Sequence, residues 1–229
     1  MMLTQDFITN TAQPGVAFGF DTNGSDVTLS GTILSATSTR GLYKFGAGEL
    51  NLTATEMFTG TTQVFGGTLR LSGANGSILN STDTGGFLTN ATVTVSPGAA
   101  LVLDNAAANN NNRLPDVWDT PFGTGDGASG KLRVNGGELK IVGNFGGTSE
   151  RINQFDISAG TITLSGGGTV LTSGQFKRVF ANSTGLIRGT NLGGTLVLAQ
   201  STVLATDSAT INVSSLSTNI GGGNTGYNF

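Results

Sequence analysis

Short segments in which two apolar residues flank a single, mostly polar residue recur along the chain. Eleven of them stand at residues 27–29, 50–52, 69–71, 93–95, 101–103, 132–134, 139–141, 155–157, 162–164, 196–198 and 211–213. Alternation with a period of two is typical of β-strands that bury one face and leave the other in water. The pattern therefore predicts a strand at each of these positions.

Glycine argues against helices in the same chain. There are 37 glycines, and no stretch of twelve residues keeps apolar positions at helical spacing without one of them. Each glycine inside a helix would destabilise it by about 1 kcal/mol relative to alanine. Glycine instead suits tight corners, such as Gly31, Gly73, Gly143 and Gly166, which directly follow strand segments. The sequence predicts an all-β protein.

The distances between the predicted strands favour a solenoid. Some neighbours start 7 or 8 residues apart, as at 93 and 101, whereas others start about twenty apart, as at 50 and 69. A β-helix makes short strands in coils of about twenty residues or more, whereas a β-sandwich favours regular spacing of roughly 8–12. We predict one elongated parallel β-helix domain over residues 1–218, with about ten coils, an irregular excursion at about 106–130, and a Gly/Asn-rich tail at 219–229. Inward Leu, Val and Ile would form the core, together with Phe18, Phe20, Phe45, Phe58 and Phe65.

Charge and composition exclude several classes of function. The net charge is −3 with only 11% charged residues and no basic block, which argues against binding of nucleic acid. The absence of cysteine and histidine removes thiolate and imidazole ligands and the commonest general base. No apolar run approaches 18 residues, so we predict no transmembrane helix, and residues 1–6 lack the pattern of a secretion signal.

Two kinds of acidic site could carry chemistry in this sequence. Asp116, Asp119 and Asp126 could supply carboxylates for glycan cleavage, but they stand among Pro, Gly and Asn, where aspartate is a common turn residue. The segments 21–26 and 123–127 are rich in oxygen ligands for calcium, yet neither repeats, so we interpret them as Asx turns. The glycine clusters lack a following Gly-Lys-Ser/Thr, which excludes a nucleotide loop. The sequence predicts no catalytic, cofactor-binding or metal-binding residue.

The stretch 45–73 has three glycine motifs in order. Gly46-Ala47-Gly48-Glu49-Leu50-Asn51-Leu52 is followed by Phe58-Thr59-Gly60-Thr61-Thr62 and then by Gly67-Thr68-Leu69-Arg70-Leu71. This order resembles the autotransporter-associated β-strand repeat, although the family usually has a doubled glycine where Gly60 stands alone. The resemblance implies a right-handed β-helix passenger segment that is exported and displayed at the bacterial surface.

Together these features predict a non-catalytic structural or adhesive segment of an exported, autotransporter-like bacterial protein. It would be extracellular or at the cell surface and act as a spacer, display rod or adhesin. Its partners would be a host surface, extracellular matrix or neighbouring cells, or further copies joined end to end into filaments, and not nucleic acid or a nucleotide. The alternatives are a polysaccharide-acting β-helix lyase or hydrolase, and a compact β-sandwich binding module.

Overall fold

The computed structural model describes residues 2–3, 17–33, 40–58, 60–79, 92–114, 130–166, 168–180, 182–189 and 210–216. Within these ranges there is no helix, and every strand pair is parallel. The strands are β1 (Met2–Leu3), β2 (Phe18–Asp21), β3 (Val27–Leu29), β4 (Leu42–Phe45), β5 (Glu49–Leu52), β6 (Thr55–Met57), β7 (Thr62–Val64), β8 (Thr68–Leu71), β9 (Ser77–Leu79), β10 (Thr92–Val95), β11 (Ala100–Asp104), β12 (Lys131–Val142), β13 (Thr148–Ser165), β14 (Thr169–Arg178), β15 (Leu186–Gly189) and β16 (Thr210–Leu216).

The prediction of an all-β parallel solenoid is confirmed. Ten of the eleven predicted segments lie inside these strands, and the remaining one, 196–198, lies outside the described residues. Because all the pairs are parallel, no two strands form a hairpin within the described residues, and the β-sandwich alternative is wrong. Strands of a parallel pair need a long connection between them, which here is the rest of one turn of the coil.

Each turn passes through three strand columns, which we name face 1, face 2 and face 3. Face 1 contains β2, β4, β7, β10 and residues 131–134, 154–157, 175–178 and 215–216. Face 2 contains β1, β3, β5, β8, β11, residues 138–142 and 161–165, and β15. Face 3 contains β6 and β9 and, in later turns, residues 148–152, 169–173 and 210–213.

Over the described residues the solenoid has about six turns rather than the ten that we predicted for the chain. Hydrogen bonds between neighbouring turns join residues 20 to 25 apart over much of the chain, but 34 to 40 apart in its middle. Longer turns mean fewer turns for the same length of chain. At about 4.8 Å a turn, six turns stack to a height of about 29 Å.

Three of the segments outside the described residues occupy the same place in the order of the faces. Segments 34–39, 80–91 and 115–129, which lie outside the described residues, all fall after a residue of face 3 and before a strand of face 1. Of the predicted excursion at about 106–130, the structure describes residues 106–114 and 130. Residues 106–114 lead from face 2 to face 3 and stay close to the coil, because Asn110 and Asn109 form hydrogen bonds with the turns before and after.

Alternation along the strands builds a continuous apolar core from inward-facing side chains of all three faces. Phe58 is buried, and Phe18 and Phe20 pack against the core as predicted. The prediction is wrong for Phe45 and Phe65, whose side chains are 37% and 42% exposed. In strand β4 of face 1, Leu42 and Lys44 point into the coil. Phe45 directly follows Lys44 and therefore points outward. It stacks on Phe65 of the next turn, with ring centroids 4.9 Å apart and planes 1° from parallel.

Glycine closes the corner between face 1 and face 2. Gly67 has a φ of 62°, in the left-handed region that other residues rarely adopt. A Cβ at this position would also collide with the carbonyl oxygens of Gly46 and Gly48 in the preceding turn. The predicted corner glycines Gly73 and Gly166 likewise have positive φ, at 70° and 92°. Glycine therefore permits both the sharp corner and the close approach of successive turns.

Candidate functional site

Among the described residues, four charged side chains lie inside the solenoid rather than on its surface. Lys44, Glu56, Arg113 and Glu150 are each 0% exposed. Burial of a charge is strongly unfavourable unless hydrogen bonds or opposite charges compensate it, and residues of these types are almost never fully buried without a partner. The contacts of these four side chains therefore show which interior groups need a charged partner.

Arg113 binds the backbone of the corner between face 2 and face 3. Its guanidinium donates hydrogen bonds to the carbonyl oxygens of Gly73 and Asp104, each at 2.8 Å, of Ala108 at 3.0 Å, and of Gly76. Nε donates to the Asn105 side-chain oxygen at 2.9 Å. The planar fork of five N–H groups suits such a convergent set of acceptors. Burial lowers the pKa of Arg113, and the nearby carboxylates of Glu150 and Asp104 partly oppose that shift.

A run of asparagines closes the same corner around Arg113. Asn105 accepts a hydrogen bond from the backbone of Asn110 at 2.7 Å, and Asn110 donates to the Ala74 carbonyl in the turn before. Asn109 accepts a hydrogen bond from Thr148 at 2.9 Å, in the turn after. The side chains of this polar segment therefore replace the ladder hydrogen bonds that a strand would make, in the manner of asparagine in turns.

Glu150 accepts hydrogen bonds from backbone N–H groups of the preceding turn. Its carboxylate accepts the backbone N–H of Leu114 at 2.9 Å and that of Arg113 at 3.2 Å. Hydrogen bonds from N–H groups to a carboxylate are stronger than those to neutral acceptors. Glu150 therefore holds the backbone of residues 113 and 114 against the turn that follows.

Glu56 has the same relation to the first turns. Its carboxylate accepts the backbone N–H of Ile33 at 2.9 Å, 23 residues earlier in the chain. Ile33 is the last described residue before segment 34–39, just as Leu114 is the last before segment 115–129. In both places a buried glutamate accepts the backbone N–H of the last described residue before the chain reaches face 1. We name Glu56 and Glu150 the anchor glutamates.

Lys44 donates hydrogen bonds to backbone carbonyl groups at the corner between face 1 and face 2. Its ammonium donates hydrogen bonds to the carbonyl oxygens of Phe45 at 2.7 Å, Gly46 at 2.8 Å and Gly66 at 3.1 Å. Burial lowers the pKa of Lys44, and the charge of Asp21 partly opposes that shift. Three donors meet three acceptors, so the hydrogen-bonding capacity of the ammonium is used by the corner itself.

These buried charges are structural in their chemistry. The two cations donate mainly to backbone carbonyls, and the two carboxylates accept backbone N–H groups, so all four are engaged with the chain's own backbone. On the outside, Asp156 is buried beneath Arg133 at 3.1 Å and Lys131 at 3.8 Å. Among the described residues, no group of three or more acidic side chains lies close enough together to hold a metal ion.

The sites considered from sequence have separate outcomes. Asp116, Asp119, Asp126 and segment 123–127 lie outside the described residues. The interpretation of segment 21–26 as an Asx turn is confirmed, because Asp21 accepts the Asn23 backbone N–H at 2.9 Å and Asn23 has a φ of 46°. Asp26 accepts the backbone N–H of Glu49 in the next turn at 2.8 Å.

Sequence analysis did not predict the buried charges. One local signal was available for Lys44, which stands two residues after Leu42 where alternation requires an inward side chain. No comparable signal marks Arg113, which lies outside every predicted strand segment and binds residues up to 40 positions away.

Comparison with protein-family models, with curated proteins and with solved structures found no match for this chain. Over the described residues, the structure contains no helix with the length and apolar character needed to cross a membrane.

Proposed function

We propose that this chain is a non-catalytic structural segment of an exported bacterial surface protein, in which stacked coils space or display other parts of the molecule or adhere to a partner. The observation that carries the proposal is the use of the interior charges. Lys44, Glu56, Arg113 and Glu150 all bond the backbone at the edges of the faces, which is what a scaffold of uneven turns requires.

The surface location draws its support from the sequence. The three ordered glycine motifs of residues 45–73 resemble those of autotransporter passengers, and the low charge and absence of cysteine suit an exported chain. In the fold, the first and third of these motifs supply β5 and β8, which are successive strands of face 2. A solenoid fits such a role because each turn contacts only its neighbours, so length is gained by repetition.

Labelling of intact cells of the source organism tests this proposal. An antibody raised against the purified chain should label intact cells as strongly as permeabilised cells, and external protease should remove the signal. Labelling of permeabilised cells alone would refute the surface location. Separately, the purified chain should release no new reducing ends from a panel of neutral and acidic polysaccharides, since steady release would show that it is an enzyme.

A further inference from the structure

The chain has three Asn-Gly pairs, and all three lie among the described residues. They are Asn23-Gly24, Asn75-Gly76 and Asn135-Gly136, and the asparagine of each pair is exposed. In such a pair the backbone nitrogen of glycine can attack the side-chain amide of asparagine, because glycine has no side chain to hinder the approach. The three pairs share this chemistry, so their surroundings in the fold decide which of them reacts.

Hydrogen bonds hold the glycine nitrogen in two of the pairs. The Gly24 N–H donates to the Ala47 carbonyl oxygen at 2.7 Å, and the Gly76 N–H donates to that of Ser72 at 3.1 Å. The carbonyl oxygen of Asn75 also accepts two side-chain hydrogen bonds, each at 3.0 Å. The nitrogen must lose its proton and turn toward the amide before it can attack, so these hydrogen bonds oppose the reaction.

The strand ladder is interrupted at the third pair. Between β12 and β13, Asn135 pairs with Ala159, so that Ser158 is an extra residue of β13 and forms a β-bulge. Pairing along β12 resumes only at Glu138. Gly136 lies in this gap and has no ladder partner in either neighbouring turn. The backbone nitrogen of the third pair is therefore not held by the ladder.

The extra residue of the bulge directs a hydroxyl to the amide that would react. Ser158 Oγ donates a hydrogen bond to Asn135 Oδ1 at 2.6 Å, whereas it lies 3.4 Å from the Val134 carbonyl oxygen. β-Bulges often re-aim a side chain in this way. When a nucleophile adds to the amide carbon, negative charge develops on Oδ1, and a donor that is already in place stabilises that charge.

We propose that Asn135-Gly136 is a site of self-modification, at which the folded chain deamidates through a succinimide and the Ser158 hydroxyl stabilises the transition state. The Gly136 nitrogen gives its proton to solvent and adds to Asn135 Cγ. The Cγ–Nδ2 bond then breaks, and ammonia leaves with a proton from solvent. Water opens the succinimide at either carbonyl, which yields aspartate or isoaspartate. The net reaction consumes water, releases ammonia and changes no oxidation state.

The fold can accept the product at this position. Isoaspartate lengthens the backbone by a methylene group, and here the ladder is already interrupted. The new carboxylate can still accept a hydrogen bond from Ser158. It adds one negative charge to a chain whose net charge is −3. We therefore expect the converted chain to stay folded and to separate from the original by anion exchange. This inference does not rest on the proposed surface role.

Incubation of the full chain in mildly alkaline buffer, followed by peptide mapping with mass spectrometry, tests the proposal. Asn135 should convert at least about fivefold faster than Asn23 or Asn75, because the hydrogen bonds of Gly24 and Gly76 must break first. In urea the three pairs should convert at comparable rates, because each asparagine is followed by glycine. A methyltransferase specific for isoaspartate should label the Asn135 peptide of the folded chain first.

Variants of the bulge residue test the role of its hydroxyl. Ser158→Ala should slow the conversion of Asn135 about fivefold, and Ser158→Thr, which keeps a hydroxyl, should restore most of the rate. Ser165→Ala is the matched control, because it removes a β13 hydroxyl that donates to the Ile141 carbonyl at 3.2 Å. It should leave the rate unchanged. Asn23 is the internal reference, because a variant that fails to fold would convert this residue faster as well.

Two results would overturn the proposal. Equal rates at the three pairs of the folded chain, or a lead of Asn135 that persists unchanged in urea, would show that the fold does not select this site. A Ser158→Ala variant that converts as fast as the wild type, or faster, would show that the hydroxyl does not stabilise the transition state.

Discussion

Replacement of Arg113 by methionine is expected to lower the free energy of unfolding by at least about 3 kcal/mol. Methionine has a similar length but donates no hydrogen bond, so the carbonyl oxygens of Gly73, Gly76 and Asp104 would be left buried without their donor. A buried acceptor without a donor destabilises the fold by the full desolvation free energy of that group, and here several acceptors would lose their donor together. Urea unfolding followed by far-UV circular dichroism measures the change.

Two further variants make this result specific. Arg113→Lys keeps the charge but replaces the planar fork with one ammonium. We therefore expect its free energy of unfolding to lie between those of the wild type and Arg113→Met. Arg188→Met removes an arginine from an exposed position of face 2 and should change stability by no more than about 0.5 kcal/mol. Equal unfolding midpoints for the 113 and 188 methionine variants would contradict the role given to Arg113.

Replacement of the anchor glutamate at position 150 separates its hydrogen bonding from its packing. Glu150→Gln keeps one oxygen that can accept the backbone N–H groups of Arg113 and Leu114, whereas Glu150→Leu keeps the approximate volume and removes both acceptors. We expect a loss of about 1 kcal/mol for glutamine and about 3 kcal/mol for leucine. Hydrogen exchange at the amides of Arg113 and Leu114 should be faster in the leucine variant.

Glu138 supplies the matched control, because it is a half-buried glutamate on the outside of face 2. Glu138→Gln and Glu138→Leu should differ in their free energy of unfolding by less than about 1 kcal/mol. Since Glu150 and Arg113 hold the same segment, the combined change Arg113→Met with Glu150→Leu should destabilise the protein by less than the sum of the two. A leucine variant at 150 as stable as the glutamine variant would show that the anchor is not needed.

The architecture was predictable because alternation reports burial directly. Apolar residues two apart mark inward positions, and a mixture of short and long spacings distinguishes a coil from hairpins. The number of turns was not predictable, because alternation carries no information on how many residues leave the coil at a corner. Val95 pairs with Val134 although the long segment between them includes residues 115–129. Average spacing therefore overestimated the number of turns.

The buried charges could not be predicted because their partners are distant in sequence. Arg113 stands in an asparagine-rich segment that looks like an exposed loop, and its burial depends on Gly73 and Gly76 in the turn before. Lys44 occupies an inward position that the alternation rule gives to an apolar residue. Phe45 was expected in the core because phenylalanine is usually buried, but its position in the strand directs it outward from face 1. Polar exceptions to a hydrophobic pattern mark places where the backbone departs from its regular ladder.

Paired cysteines test most directly whether the turns stack in parallel register across the long segments, because the chain has no cysteine of its own. Val102 pairs with Lys140 on the far side of residues 115–129, and Lys140 pairs with Thr163 in the next turn. Under mild oxidation, Val102→Cys with Lys140→Cys should form an intramolecular disulfide, because paired residues lie about 4.8 Å apart, within the range that a disulfide spans. Val102→Cys with Thr163→Cys, two turns apart at about 9.6 Å, should not. Failure of the first pair, or equal bonding of both, would contradict the stacked solenoid.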